Sequence, residues 1–169
     1  IEVTKEFGIG SGGVPLLTGT SIYQEELEKL IAKISGMDDT ILFSSGYTAN
    51  LGVISGLIRP NNLIIHDKLD HASLLDGTVM SGAKMIRYKH GDINDLERLL
   101  KDNSPQYPNG ILVVTDGVFS MDGDIAKLPQ ILEITRKYDA ILLVDEAHAT
   151  GVIGDKGAGT LSHDGITDR

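Results

Sequence analysis

ILLVDEAHATG, residues 141–151, opens on four branched apolar residues and closes on charge. Ile141, Leu142, Leu143 and Val144 are the short unbroken apolar run of a strand buried on both faces of a parallel sheet. Asp145, Glu146 and His148 follow at once. In open α/β sheets small molecules bind beyond the carboxyl ends of the strands, so an acid and an imidazole placed there face a ligand. A solvated acidic turn after an ordinary strand has the same spelling. The choice between the two passes to the rest of the chain.

Moving outward, the pattern recurs. Residues 111–114 (ILVV) run into Thr115 and Asp116, and residues 63–65 (LII) run into His66 and Asp67. Residues 40–43 (TILF) run into Ser44, Ser45 and Gly46, while residues 84–88 form a less apolar strand suited to an edge. Helical periods lie between. They are Leu51, Ile54, Leu57 and Ile58 stopping before Pro60, and Leu74, Leu75 and Val79 after His71. Two more are Ile93, Leu96, Leu99 and Leu100 behind an Asp92 cap, and Ile131, Leu132 and Tyr138 opened by Pro129. Residues 103–110, with Pro105 and Pro108, read as a surface connection. Strands alternating with crossover helices predict a three-layer α/β fold, a mostly parallel sheet with helices on both faces. Nearer the start, Ser21 and Gln24 in capping-box spacing open a helix through Leu27, Leu30, Ile31 and Ile34, which Gly36 closes. Residues 7–20 (FGIGSGGVPLLTGT) carry no period and read as a glycine-rich loop with close backbone approaches.

Composition narrows the function. The 169 residues are ordinary single-domain size, 41% hydrophobic and 23% charged, the balance of a soluble globular protein. A net charge of -9 with no basic cluster argues against a nucleic-acid partner. The absence of cysteine excludes disulfides and thiolate metal sites, and no metal site is expected. No apolar run reaches the roughly 18 residues of a membrane span, so no membrane partner and a cytoplasmic location are expected. The early glycine-rich loop lacks the Lys-Ser or Lys-Thr ending of a phosphate loop. Without it, the DEAH spelling of residues 145–148 carries no helicase reading.

Polar residues of different kinds gather at the strand ends: Ser44 to Gly46, His66 and His71, Asp116 with Ser120, and Asp145 with His148. A parallel sheet would bring them to one edge. Taken singly, each has an ordinary reading. Gly46 and Tyr47 open a helix whose amides bind water as readily as phosphate. His71 reads equally as a cap, and Ser120 as a turn serine.

Five stretches in this order and spacing, GSGGVPLLTGT, LFSSGYTAN, DKLDHASLLDG, TDGVFSMDGDIAKL and LLVDEAHATGVIGDKGAG, resemble the α-oxoamine synthases. These are pyridoxal-phosphate enzymes of the aspartate aminotransferase fold (fold type I), and the resemblance covers nearly the whole chain. It implies condensation of an amino acid with an acyl-CoA or acyl carrier protein thioester, with decarboxylation in most members. VFSMDGD and HATGVIG resemble most the members that join L-alanine to a pimeloyl thioester in biotin biosynthesis. Glycine acetyltransferases come next, and a catalytically inactive binding module of the same fold is the rival from another class.

The resemblance also implies roles. Asp145 would hold the pyridine nitrogen of pyridoxal 5′-phosphate protonated, and His148 and Ser120 would bond the ring hydroxyl. Ala147 would lie on one ring face and His71 on the other, while the Gly46 and Tyr47 amides would take the phosphate. His71, Asp145 and His148 are thus the catalytic expectations. Two departures stand out. Pro15 occupies a position where relatives carry a basic residue, and no lysine here sits in the family's Schiff-base motif, which is expected beyond Arg169. The expected organisation is a glycine-rich segment over residues 1–20 and part of a cofactor-binding large domain over residues 21–169, in a protein that forms homodimers.

Overall fold

A computed structural model describes residues 1–108 and 110–167. The chain forms two compact units, Ile1–Leu42 and Phe43–Arg169. The first unit takes in α2 (Ile22–Ser35), on which the opening segment packs. The Phe7 and Tyr23 rings meet edge to face at 5.4 Å. α2 has the expected capping box of Ser21 with Gln24, and Gly36 ends it in the left-handed region at φ 65°. The glycine-rich stretch is not wholly irregular. It follows a short helix, α1 (Glu2–Phe7), and Pro15–Gly19 winds into one π-helical turn. Gly19 is required there, since a side chain would collide with the Gly13 carbonyl.

The second unit is built on four parallel strands: β1 (Leu63–Asp67), β2 (Lys84–Tyr88), β3 (Ile111–Asp116) and β4 (Ile141–Asp145). Their order across the sheet is β2-β1-β3-β4. Side chains alternate between two faces, as the pleat demands. Leu63, Ile65, Ile111 and Val113 enter one core with Leu96 and Leu100 of α5 (Ile93–Asn103) and Ile131 and Ile134 of α6 (Leu128–Lys137). Ile64, Leu112 and Val114 enter the other with Ile54 of α3 (Gly46–Leu57) and Leu74 of α4 (Ala72–Ser81). The result is the expected three-layer α/β fold. Asp92 caps α5 by accepting the Asp95 N–H at 3.1 Å, and Pro129 sits in the first turn of α6.

Three local expectations fail. Residues 40–43 form no strand, and Ile41 is 78% exposed. A strand exists only through its ladder, and among the described residues none pairs with this segment. Residues 141–144 do form a strand, but at the edge of the sheet. Ile141 is 54% exposed because β4 pairs only with β3 among the described residues. On α4, Leu74 is buried as expected but with Ser73, Gly77, Thr78 and Ser81 in place of Leu75 and Val79, and Val79 is turned outward. Small residues let α4 lie close to α3: a Cβ on Gly77 would stand 3.1 Å from the Asn50 carbonyl oxygen. The connection expected over 103–110 is partly helical, Ser104–Gln106 forming a 3-10 turn, and Asn109 lies outside the described residues.

Candidate functional site

β3 and β4 end in register, Asp116 opposite Asp145, so two carboxylates leave the sheet side by side toward the face that α3 and α4 cover. A cleft opens at this point. It is lined by Gly46, Tyr47 and Asn50 of α3, His71 and Ser73 at the start of α4, and Asp116, Asp145, Ala147 and His148. Six of the residues expected from the sequence, Gly46, Tyr47, His71, Asp145, Ala147 and His148, therefore meet around one space. Ser120 does not line it. It lies exposed in a tight turn where Gly123 N–H donates to the Phe119 carbonyl at 2.8 Å.

Local chemistry sets each position. Ser45 caps α3 through the Thr48 N–H, and Gly46 in the first turn has open space where a side chain would project. The Tyr47 hydroxyl donates to Asp76, which raises its pKa. Asp145 Oδ1 accepts the Ala147 N–H at 2.9 Å, and its Oδ2 accepts from Asn50 Nδ2 at 2.8 Å. The same Asn50 nitrogen reaches Ser73 Oγ at 2.8 Å, and Ser73 Oγ lies 2.8 Å from His71 Nδ1. Asp116 is only 4% exposed, and its Oδ1 has no partner. Burial first, and then the charge of Asp145, push its carboxyl up to about 6 against the pull of the His71 N–H and the two imidazoles.

Behind the cleft lies a buried polar chain. Burial pushes the Asp70 carboxyl up and the His66 imidazole down, and the two meet at 2.9 Å. The Thr78 hydroxyl donates to the Leu74 carbonyl at 3.1 Å, so its oxygen accepts from His66 Nε2–H at 2.7 Å. Asp70 Oδ1 accepts the Asp116 N–H at 3.2 Å, which ties the loop carrying His71 to the end of β3.

A cleft of this make-up, at strand ends of a parallel sheet, can be compared with known proteins. Residues 1–168 match the family described as aminotransferase class I and II. The chain belongs to the aminotransferase class I and II family. Among curated relatives, it is 47% identical over its full length to a putative 8-amino-7-oxononanoate synthase of Trichodesmium erythraeum, covering 43% of that protein. It is 48% identical over 162 residues to 8-amino-7-oxononanoate synthase 2 of Bacillus subtilis, which accounts for 96% of this chain and 41% of the relative. The chain thus spans about two fifths of the length of the curated relatives it matches. A solved serine palmitoyltransferase from S. paucimobilis, with a bound PLP-myriocin aldimine, superposes with a TM-score of 0.91 at 37% identity. The match covers 98% of this chain and 41% of that one. An 8-amino-7-oxononanoate synthase from Francisella tularensis gives a TM-score of 0.78 at 32% identity, over 96% of this chain and 43% of that one. The fold expected from the sequence, that of the fold type I transferases, is the fold of these neighbours.

Sequence reasoning gave no role to three lining residues of this family member. Asp116 was visible as a strand end, but not its pairing with Asp145. Asn50 lies one helical turn beyond Gly46, and Ser73 lies two residues beyond His71. Those spacings place them on the cleft side once the helix starts are known.

Proposed function

We propose that the cleft is one wall of a pyridoxal 5′-phosphate site and that the full-length protein is an α-oxoamine synthase. In this reading it condenses an amino acid, L-alanine, with a pimeloyl-CoA or acyl carrier protein thioester and releases carbon dioxide and thiol, as in biotin biosynthesis. The observation that carries it is the meeting of Asp145, His71, Ala147 and His148 with the start of α3 around one cleft. The residues fit the cofactor in kind. The Ser45 cap takes the Thr48 N–H and leaves the Gly46 and Tyr47 amides for an anion, with no side chain in the way at Gly46. Asp145 keeps lone pairs for a ring N–H, and Ala147 is small enough for a ring to approach. When bound, pyridoxal phosphate supplies an electron-withdrawing ring that acidifies the substrate's α-carbon.

Each protein group then has a task. Asp145 holds a proton on the ring nitrogen by its adjacent negative charge. His148, which lines the cleft, would bond the ring hydroxyl. His71, which lines the same cleft, would cover the cofactor ring and hydrogen-bond the substrate carboxylate. The enclosed volume, about 90 Å³, is well below the roughly 300–1,000 Å³ of a ligand-sized pocket. No lysine lines it among the described residues. In this reading the site is completed by the rest of the full-length protein and by a second subunit in a homodimer, and the 169 residues alone are inactive. The test is thiol release from the full-length protein, with alanine, glycine and serine each offered against acetyl, pimeloyl and palmitoyl thioesters. Alanine with pimeloyl is the expected pair. Preference for glycine with acetyl-CoA, or for serine with palmitoyl-CoA as the 0.91 superposition invites, would overturn the substrate assignment and keep the reaction. No release with any pair would support an inactive module.

A further inference from the structure

A carboxylate can only accept hydrogen bonds, and that sets the direction of the side chains behind Asp145. The Asn50 amide must turn its NH2 group to the acid, and Nδ2 donates to Asp145 Oδ2 at 2.8 Å. Its second hydrogen goes to Ser73 Oγ, also at 2.8 Å. With Ser73 Oγ accepting there, its own proton is directed to His71 Nδ1, 2.8 Å away. The Ser73 backbone N–H, which can only donate, approaches the same nitrogen at 3.3 Å. Two donors on Nδ1 leave the ring proton on Nε2. The four side chains come from α3, the start of α4 and the end of β4, so the chain also ties together the elements that form the cleft.

We propose that Asn50 and Ser73 are positioning residues, a directed hydrogen-bond chain that runs from Asp145 to His71 and makes the imidazole present an N–H to its ligand. The inference deepens the cofactor reading above and rests on it. A ligand group facing that N–H is an acceptor, such as the oxygen of a carboxylate. Loss of the chain removes the direction: without Asn50, the Ser73 hydroxyl is free to accept from His71 instead, and the ring proton can move to Nδ1.

Ring-nitrogen NMR of the full-length protein labelled with 15N-histidine tests this, with and without pyridoxal phosphate. His71 is assigned by the signals lost in His71→Gln. The wild type is expected to hold the Nε2–H form. Ser73→Ala should shift the tautomer ratio at least about fivefold toward Nδ1–H, and Ser73→Thr, which keeps the hydroxyl, should restore it. Asn50→Leu keeps the shape of the amide without its donors. It should shift the ratio the same way and weaken cofactor binding about tenfold, the scale of one hydrogen bond to a charged group. If that variant does not fold, Asn50→Ala removes the same donors. An unchanged ratio in Ser73→Ala and in the Asn50 variant overturns the proposal. A wild-type protein that binds no pyridoxal phosphate overturns the cofactor reading instead, and the tautomer result stands apart from it.

Discussion

Asp145 and Asp116 stand at the same register of adjacent strands, yet their surroundings give them different work. Asp145 accepts one donor on each oxygen, from Ala147 and from Asn50. Asp145→Asn keeps the size but has a single acceptor oxygen, so one of those donors loses its partner at a cost of about 1 kcal/mol. On the proposed cofactor reading, turnover of the full-length protein should fall far more, at least about 10²-fold in kcat, because the charge proposed to hold the ring nitrogen protonated is gone. Near-normal turnover with unchanged cofactor binding would remove Asp145 from the ring. Asp116 carries a pH signature. Its carboxyl, pushed up from 3.8 to about 6, binds a proton more tightly folded than unfolded. Stability therefore falls as pH rises from about 4 to about 6, by an amount on the order of 1–2 kcal/mol after solvent screening. Denaturant titrations across that window should show the fall in the wild type and a flatter profile in Asp116→Asn. Parallel profiles would mean that Asp116 ionises without cost.

At the scale of elements, the turn after β3 carries Ser120 and is held at a distance from it. Val118 and Ile125 form an antiparallel bridge, and Asp124 receives His90 Nε2 at 2.6 Å. His90 Nδ1 meets Asp67 at the end of β1 at 2.8 Å, and the Phe119 ring packs edge-on against the imidazole. Burial works against the charged ring, but the bonds and charges of Asp67 and Asp124 hold its pKa above the ordinary value. The stabilisation is thus complete below about pH 6.5 and is lost as pH rises through the folded-state value. His90→Gln should speed hydrogen exchange at the Phe119, Gly123 and Ala126 amides, and in the wild type the same amides should exchange faster above that range than base catalysis explains. Equal protection in both proteins would assign the hold to the Val118–Ile125 bridge alone. Strand and helix identities follow from period and caps: the apolar runs of β1 and β3, and the Ser21 and Asp92 caps, mark their elements in the sequence. The buried face of α4 does not, because it is chosen by the space beside α3 and not by hydrophobicity.

At the scale of the molecule, the proposed reading has a second subunit adding to the cleft of about 90 Å³, so the full-length protein should be a homodimer in light scattering. An active monomer would contradict the shared site. The chain's own letters determined the alternation of strands and helices, the polar residues at the strand ends and the family, because period, caps and motif spacing are local and survive in one dimension. Only the tertiary structure decided that β4 lies at an edge, that residues 40–43 stay unpaired and that Ser120 stands outside the cleft. It also decided that Asn50 meets Asp145, 95 positions away. Burial and partnership depend on which segments close on one another, and the apolar runs 40–43 and 141–144 carry no mark that separates a paired strand from an unpaired one.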